Sequence, residues 1–223
     1  MVGSQIGSSP VCLVTTLAQN ASPVKMVTIL DPVNVTCQTG DVIHAFPCGT
    51  PALDFCGTLR ARRNDEPTEK LAAASDLDAW FLESGLLPGG TAAGAADLTA
   101  AVALREAIYA LVWARMNDHE LPAPAVDAVN SAAAAPPPQP VLTAEGWRRE
   151  GSDTQGLSQL AREAIEIIGG DQAALLRECG RPECTQVYLD SSRGHRREWC
   201  SMATCGARVK AKAYRERRKA GAA

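Results

Sequence analysis

Residues 179–205 read CGRPECTQVYLDSSRGHRREWCSMATC, and the four cysteines in this stretch decide how the chain is read. Four residues separate Cys179 from Cys184, and four separate Cys200 from Cys205, with fifteen residues between the pairs. Two close pairs of thiolates are what a tetrahedral structural Zn2+ site requires. In the first turn Gly180 permits positive φ and Pro182 stiffens the chain. Val187-Tyr188-Leu189 reads as a strand, Asp190–Arg197 as the polar, basic loop of a hairpin, and Trp199 as the start of its return. A final helix from about Ala203 to Lys219 then carries Cys205 near its start. Knuckle, hairpin and helix together describe a treble-clef-like zinc finger. A segment of roughly forty residues this polar cannot fold on its own core, so zinc is expected to supply much of its folding free energy.

Charge follows the same division. From Arg177 to Lys219 there are twelve Lys/Arg against five Asp/Glu, whereas residues 1–176 hold ten against twenty. The net charge of -3 for the 223-residue chain therefore hides an acidic body joined to a basic end. Such asymmetry points to two modules with different partners. On the final helix Arg208, Lys212, Arg215 and Lys219 fall on one continuous stripe, while Ala207, Ala211 and Tyr214 share a face expected to pack on the knuckle. Lys210 and Arg218 add charge beside the stripe, and Arg193, Arg196 and Arg197 extend it from the loop. A phosphate backbone is the partner such a surface attracts.

The body reads as mainly helical, with a few strands near its start. Val27–Leu30, Asp41–Phe46 and Ala52–Phe55 are the expected strands. Helices are expected after Ser75, with Leu77, Trp80 and Phe81 inward, and after Asp97, through Leu98, Val102, Ile108, Leu111 and Val112. A short helix over Ala125–Ala134, a small hairpin near Val141–Arg149 and a helix over Leu157–Ile168 follow. Trp80, Tyr109 and Trp113 are expected in the core. The fold class is thus α+β: a mainly helical N-terminal domain with a few strands, then the zinc finger. Residues 1–40 form an extension, disordered in part, residues 41–176 a sensor or dimerisation domain, and residues 177–223 the finger. The apolar stretches are too short for a membrane span. Met1–Ala21 lacks the charged start of a signal peptide, so a reducing cytoplasm, with cysteines binding metal instead of forming disulfides, is expected.

The run Arg177–Arg218 resembles the CGNR zinc finger. The resemblance is carried by Tyr188-Leu189-Asp190-Ser191-Ser192-Arg193, by Arg197-Glu198-Trp199-Cys200-Ser201-Met202-Ala203-Thr204-Cys205-Gly206, and by Lys210–Arg218. That module ends bacterial proteins described as stress-induced transcription regulators, also called ABATE-domain proteins. A looser similarity runs through Gly49–Leu59 and the three main helical segments. The resemblance implies one zinc ion held by Cys179, Cys184, Cys200 and Cys205, and DNA binding through the basic residues. Two positions depart from the pattern: Ala207 stands where the motif has Asn, and Gly57 replaces the Asn of an Asp-Phe-x-Asn-Thr pattern.

Other constellations are weaker. Cys12, Cys37, Cys48 and Cys56, with His44, match no zinc spacing and read as small buried apolar residues. His195 alone does not make a nuclease. Arg60, Arg62, Arg63 and Asn64 form a polar cluster that could hold an anionic effector, set against the simpler reading of a solvated loop. No Ser/His/Asp set, phosphate-cradling glycine loop or compelling carboxylate pair occurs, so no enzyme is expected. The expected function is a zinc-dependent, DNA-binding transcriptional regulator whose N-terminal domain senses a small molecule or forms a homodimer. The alternatives are an RNA-binding zinc module, or a structural finger in a small-molecule-binding protein.

Overall fold

The computed structural model describes residues 44–221. The expected strand at Val27–Leu30, and the cysteines Cys12 and Cys37, lie outside them. The described residues all belong to one compact unit. No described helix is long and apolar enough to cross a membrane.

The centre of the unit is a six-residue helix, α1 (Pro51–Cys56), of which Ala52 to Cys56 are all buried. Ala52–Phe55 was expected as a strand; a buried apolar run this short shows no period that separates the two. What decides it is the entry. Pro51 occupies the first turn, where a missing N–H costs nothing, and the Thr50 hydroxyl caps the N–H of Leu53. The Glu163 carboxylate accepts a further orphan N–H, that of Ala52, at 2.7 Å. A small antiparallel pair, β1 (Leu59–Arg60) and β2 (Thr68–Glu69), follows. The segment 44–46, expected to end a strand, forms none.

Of helices α2 (Ala74–Glu83), α3 (Ala95–Met116), α4 (Ala123–Ala133) and α5 (Asp153–Gly169), α3 and α5 pack directly on α1, α2 reaches it through Trp80 on Phe55, and α4 packs on α3 and α5. The starts differ by a turn or less from those expected. Asp76 and Asp97 sit one turn inside their helices, where each carboxylate accepts the N–H groups that open the first turn. Ser152 and Gln155 make a reciprocal capping box that starts α5 a turn early. Trp80 is buried edge-on to Phe55 and Phe81. The Phe81 ring packs so closely on α5 that a Cβ on Gly156 would lie 2.7 Å from it. Trp113, expected in the core, is instead 38% exposed, and Tyr109 is half-buried. Between α4 and α5 a hairpin, β3 (Gln139–Thr143) with β4 (Gly146–Glu150), carries the exposed pair Leu142 and Trp147 directly opposite one another.

The C-terminal segment is built onto this body. After a 3-10 turn (Asp171–Leu175), β5 (Leu176–Glu178) pairs antiparallel with β6 (Val187–Leu189). This corrects the expected hairpin: β6 pairs backwards across the first cysteine turn, and residues 190–200 form a loop with no return strand. Leu176, Val187, Tyr188 and Leu189 are buried in the same apolar cluster as Phe55 and Trp80. The outer edge of β6 bonds to the body through Leu189 N–H and the Cys48 carbonyl, at 3.1 Å. The line drawn at residue 176 therefore crosses a shared core. One turn of π-helix (Met202–Gly206) leads into α6 (Ala207–Ala220), which buries no residue at all.

Candidate metal centre and cationic surface

The first cysteine turn is the tip of the β5–β6 hairpin. Cys179 N–H bonds to the Gln186 carbonyl at 2.9 Å, and Cys184 N–H to the Arg181 carbonyl at 2.8 Å. The second pair arrives from the loop and the π turn, held by Gly180 N–H on the Glu198 carbonyl at 2.8 Å. The four Sγ atoms lie within 4.8 Å of one another. Cys184 to Cys200 is 3.9 Å and Cys200 to Cys205 is 3.6 Å. A regular tetrahedron of sulfurs around Zn2+ has edges of about 3.8 Å, so the donor set fits one structural zinc ion. Hydrogen bonds from Cys184 and Cys200 hold the Cys179 thiol far below the ordinary thiol range. The Arg181 guanidinium lies 3.6 Å from Cys205 Sγ and so offsets part of the negative charge of a tetrathiolate. Among the described residues no other group of His, Cys, Asp or Glu could hold a metal. His44 bonds to Glu83 instead, and Cys48 and Cys56 are buried thiols that desolvation pushes upward, Cys56 to about 12.

The basic loop is shaped by Asp190. Its buried carboxylate accepts from Ser192 N–H, Ser192 Oγ–H and Arg197 N–H, and the Ser192 hydroxyl bond leads in keeping its pKa low. The chain turns through positive φ at Gly194 and His195, and the His195 ring bonds to the Asp190 carbonyl at 2.8 Å. That leaves the Arg193 and Arg196 side chains exposed and without partners among the described residues. Arg197, also expected on the nucleic-acid surface, is different: it is half-buried and has partners within the protein. Its guanidinium stacks 4.4 Å over the Tyr188 ring and donates to the carbonyls of Trp199, Pro47 and Cys200. It joins the loop to the body and to the backbone of a zinc ligand.

On α6 the half-buried positions are Val209 and Ala213, whereas Ala207, Ala211 and Tyr214 are exposed, which reverses the expected packing face. Arg208, Lys210, Lys212, Arg215, Arg217, Arg218 and Lys219 are all exposed, and none forms a hydrogen bond or ion pair through its side chain among the described residues. The polar cluster at 60–64 is dispersed. Arg62 stacks 3.9 Å from the Tyr109 ring centre and bonds to Glu106 and the Cys56 carbonyl. Arg63 pairs with Glu178, and the side chains of Arg60 and Asn64, both exposed, have no hydrogen bond or ion pair among the described residues. Lys70 and Arg181, absent from the expected site, come close to Arg60 through the fold. At Gly57, a Cβ would fall 2.1 Å from the Gln186 carboxamide, which occupies the space a side chain there would take.

A tetrathiolate site set on a mainly helical body defines a zinc-finger protein whose finger shares the core of its companion domain. Residues 49–171 match the ABATE family, described as "Putative stress-induced transcription regulator", and residues 176–218 match the CGNR zinc finger. The first match covers more than half of the chain, and the protein belongs to the ABATE family. No curated protein matches it.

Proposed function

We propose that the protein is a zinc-dependent, DNA-binding transcriptional regulator. In this reading α6, with Arg193 and Arg196 of the loop, contacts duplex DNA, and the helical domain senses a small molecule or dimerises. The observation that carries the reading is the charge of α6: seven cations and one acid in fourteen residues, with no hydrogen bond or ion pair from the cations' side chains among the described residues. Like charges three and four residues apart, such as Arg208 with Lys212 and Arg215 with Lys219, oppose helix formation by a few tenths of a kcal/mol each. The stripe therefore weakens the helix that bears it, and a polyanion relieves that repulsion. Zinc bound at Cys205 would hold the π turn that leads directly into α6, so the cations would be presented in one orientation.

Fluorescence anisotropy of the zinc-loaded protein on random-sequence duplex DNA, across a salt series, tests this. Four stripe cations with one or two from the loop predict a log-log salt slope of about -5. Flat salt dependence with weak binding would remove the DNA reading. A structured RNA competing better than duplex DNA at matched salt would move the surface to RNA.

A further inference from the structure

A cleft of 320 Å³ lies between the β1–β2 hairpin and the zinc knuckle. Arg60 and Lys70 line it from the body, and Arg181 and Arg208 line it from the finger. Glu183 is the one acid among its lining residues, and it is already paired with Arg181 at 2.9 Å. Arg60, Lys70 and Arg208 have no side-chain hydrogen bond or ion pair among the described residues. Cys184, Cys200 and Cys205 also border the cleft. Their negative charge, about -2 for a zinc tetrathiolate, is met at Cys205 by Arg181 and, among the described residues, by no other side-chain hydrogen bond from a cation. Four cations thus face one carboxylate and the tetrathiolate across the cleft, which leaves a small positive balance, carried by Arg60, Lys70 and Arg208 on its walls.

We propose that this cleft is a binding site for a phosphate group carrying at least two negative charges. Guanidinium groups meet phosphate oxygens in bidentate fashion and the Lys ammonium acts as a point charge. The bound group would bridge the body and the first turn of α6 through Arg208. This deepens the proposed function and rests on it; Arg208 is shared with the cationic stripe of α6, whereas Arg60 and Lys70 lie outside that helix. Two sources share the chemistry: a free phosphorylated molecule and the backbone of a nucleic acid.

The test is calorimetric titration of the zinc-loaded full chain with inorganic phosphate and with pyrophosphate, against sodium chloride at matched ionic strength, with zinc content checked afterwards. Saturable one-to-one binding of pyrophosphate is expected. The double variant Arg60→Gln, Lys70→Gln should weaken it by about tenfold or more, with circular dichroism and zinc stoichiometry unchanged. Arg208→Gln, from the opposite wall, should do the same. No saturable binding, or equal binding by these variants, overturns the proposal. Duplex DNA then separates the sources. If Arg60→Gln, Lys70→Gln also weakens DNA binding, the phosphate is the backbone's; if DNA affinity is unchanged, it belongs to a free ligand. Arg215→Gln, Lys219→Gln lies outside the cleft and reports on the DNA reading alone.

Discussion

Arg197 shows how little a residue's type says about its task. In sequence it is one of three arginines in a five-residue span of the loop, and nothing local separates it from Arg193 and Arg196. Its partner Pro47 is 150 residues away, so the difference became visible only in three dimensions. Arg197→Ala should cost about 3 kcal/mol, the usual scale for losing several charge-assisted bonds, and should speed zinc loss to a chelator. Arg193→Ala with Arg196→Ala should leave both unchanged and lower only DNA affinity; a reversed pattern in melting and anisotropy would refute the assignment. Asp54 offers a second residue-level check. Burial lifts its carboxyl from 3.8 to about 6, against the opposing Cys48 N–H bond. The folded state therefore holds an extra proton between those values. The stability it contributes is full below 3.8 and lost as pH rises through about 6. Asp54→Asn keeps an acceptor for Cys48 and removes the titration. The stability difference between variant and parent should therefore grow from pH 4 to 6 by up to about 3 kcal/mol and then level off. Comparing the two proteins cancels the acid lability of the zinc site; parallel urea curves at both pH values would sink the argument.

At the scale of elements, legibility followed length and periodicity. The long helices α3 and α5 and the cysteine turns could be read because an amphipathic period or a fixed spacing marks them. Helix α1 could not, since six buried residues give no period, and β1–β2, two residues per strand, leaves no pattern at all. The partner of β6 was missed because a three-residue apolar strand specifies burial and not direction. Helix α6 was legible as a helix and as a charged surface, but its contact face was not. Ala207–Ala211–Tyr214 and Val209–Ala213 form two narrow apolar faces, and only the turn leaving the zinc site chooses between them. The repulsion along α6 gives an element-level prediction. Replacing Arg208, Lys212, Arg215 and Lys219 with Gln removes several like-charge pairs and should raise helicity in low salt, with a gain of about 1 kcal/mol summed over the pairs. Duplex affinity should fall in the same variant, and the salt slope should drop by about 4. A variant that loses helix and affinity together would show that the charges serve folding.

At the scale of the molecule, the question is whether finger and body are separate modules. Composition divides them at residue 176, with opposite net charge on either side. Packing does not, because Leu176, Val187, Tyr188 and Leu189 lie in one buried cluster with Phe55, Trp80 and Leu160. Cys179, Cys200 and Cys205 are part of that cluster too, so the metal closes a wall of the common core and does more than staple an appendage. Zinc binding at a site of this kind is folding free energy for whatever unit contains the site. If that unit spans body and finger, even about 5 kcal/mol of linkage would move the melting temperature of a chain this size by roughly 10–20 °C. Removing zinc with a chelator, or substituting Cys200→Ser, should therefore lower one cooperative transition for the whole unit. Amide exchange should quicken in α1, α3 and α5 as well as in β6 and α6. Two independent modules would behave differently: residues 177–221 would lose protection while α3 and α5 kept their holo-protein melting temperature. That result would restore the division at residue 176 and reduce the shared core to a weak contact. The single-unit reading also has a consequence for signalling. A ligand seated on Arg60 and Lys70 would then act on α6 through packed structure, so its binding should raise the melting temperature of the zinc-loaded protein as one transition.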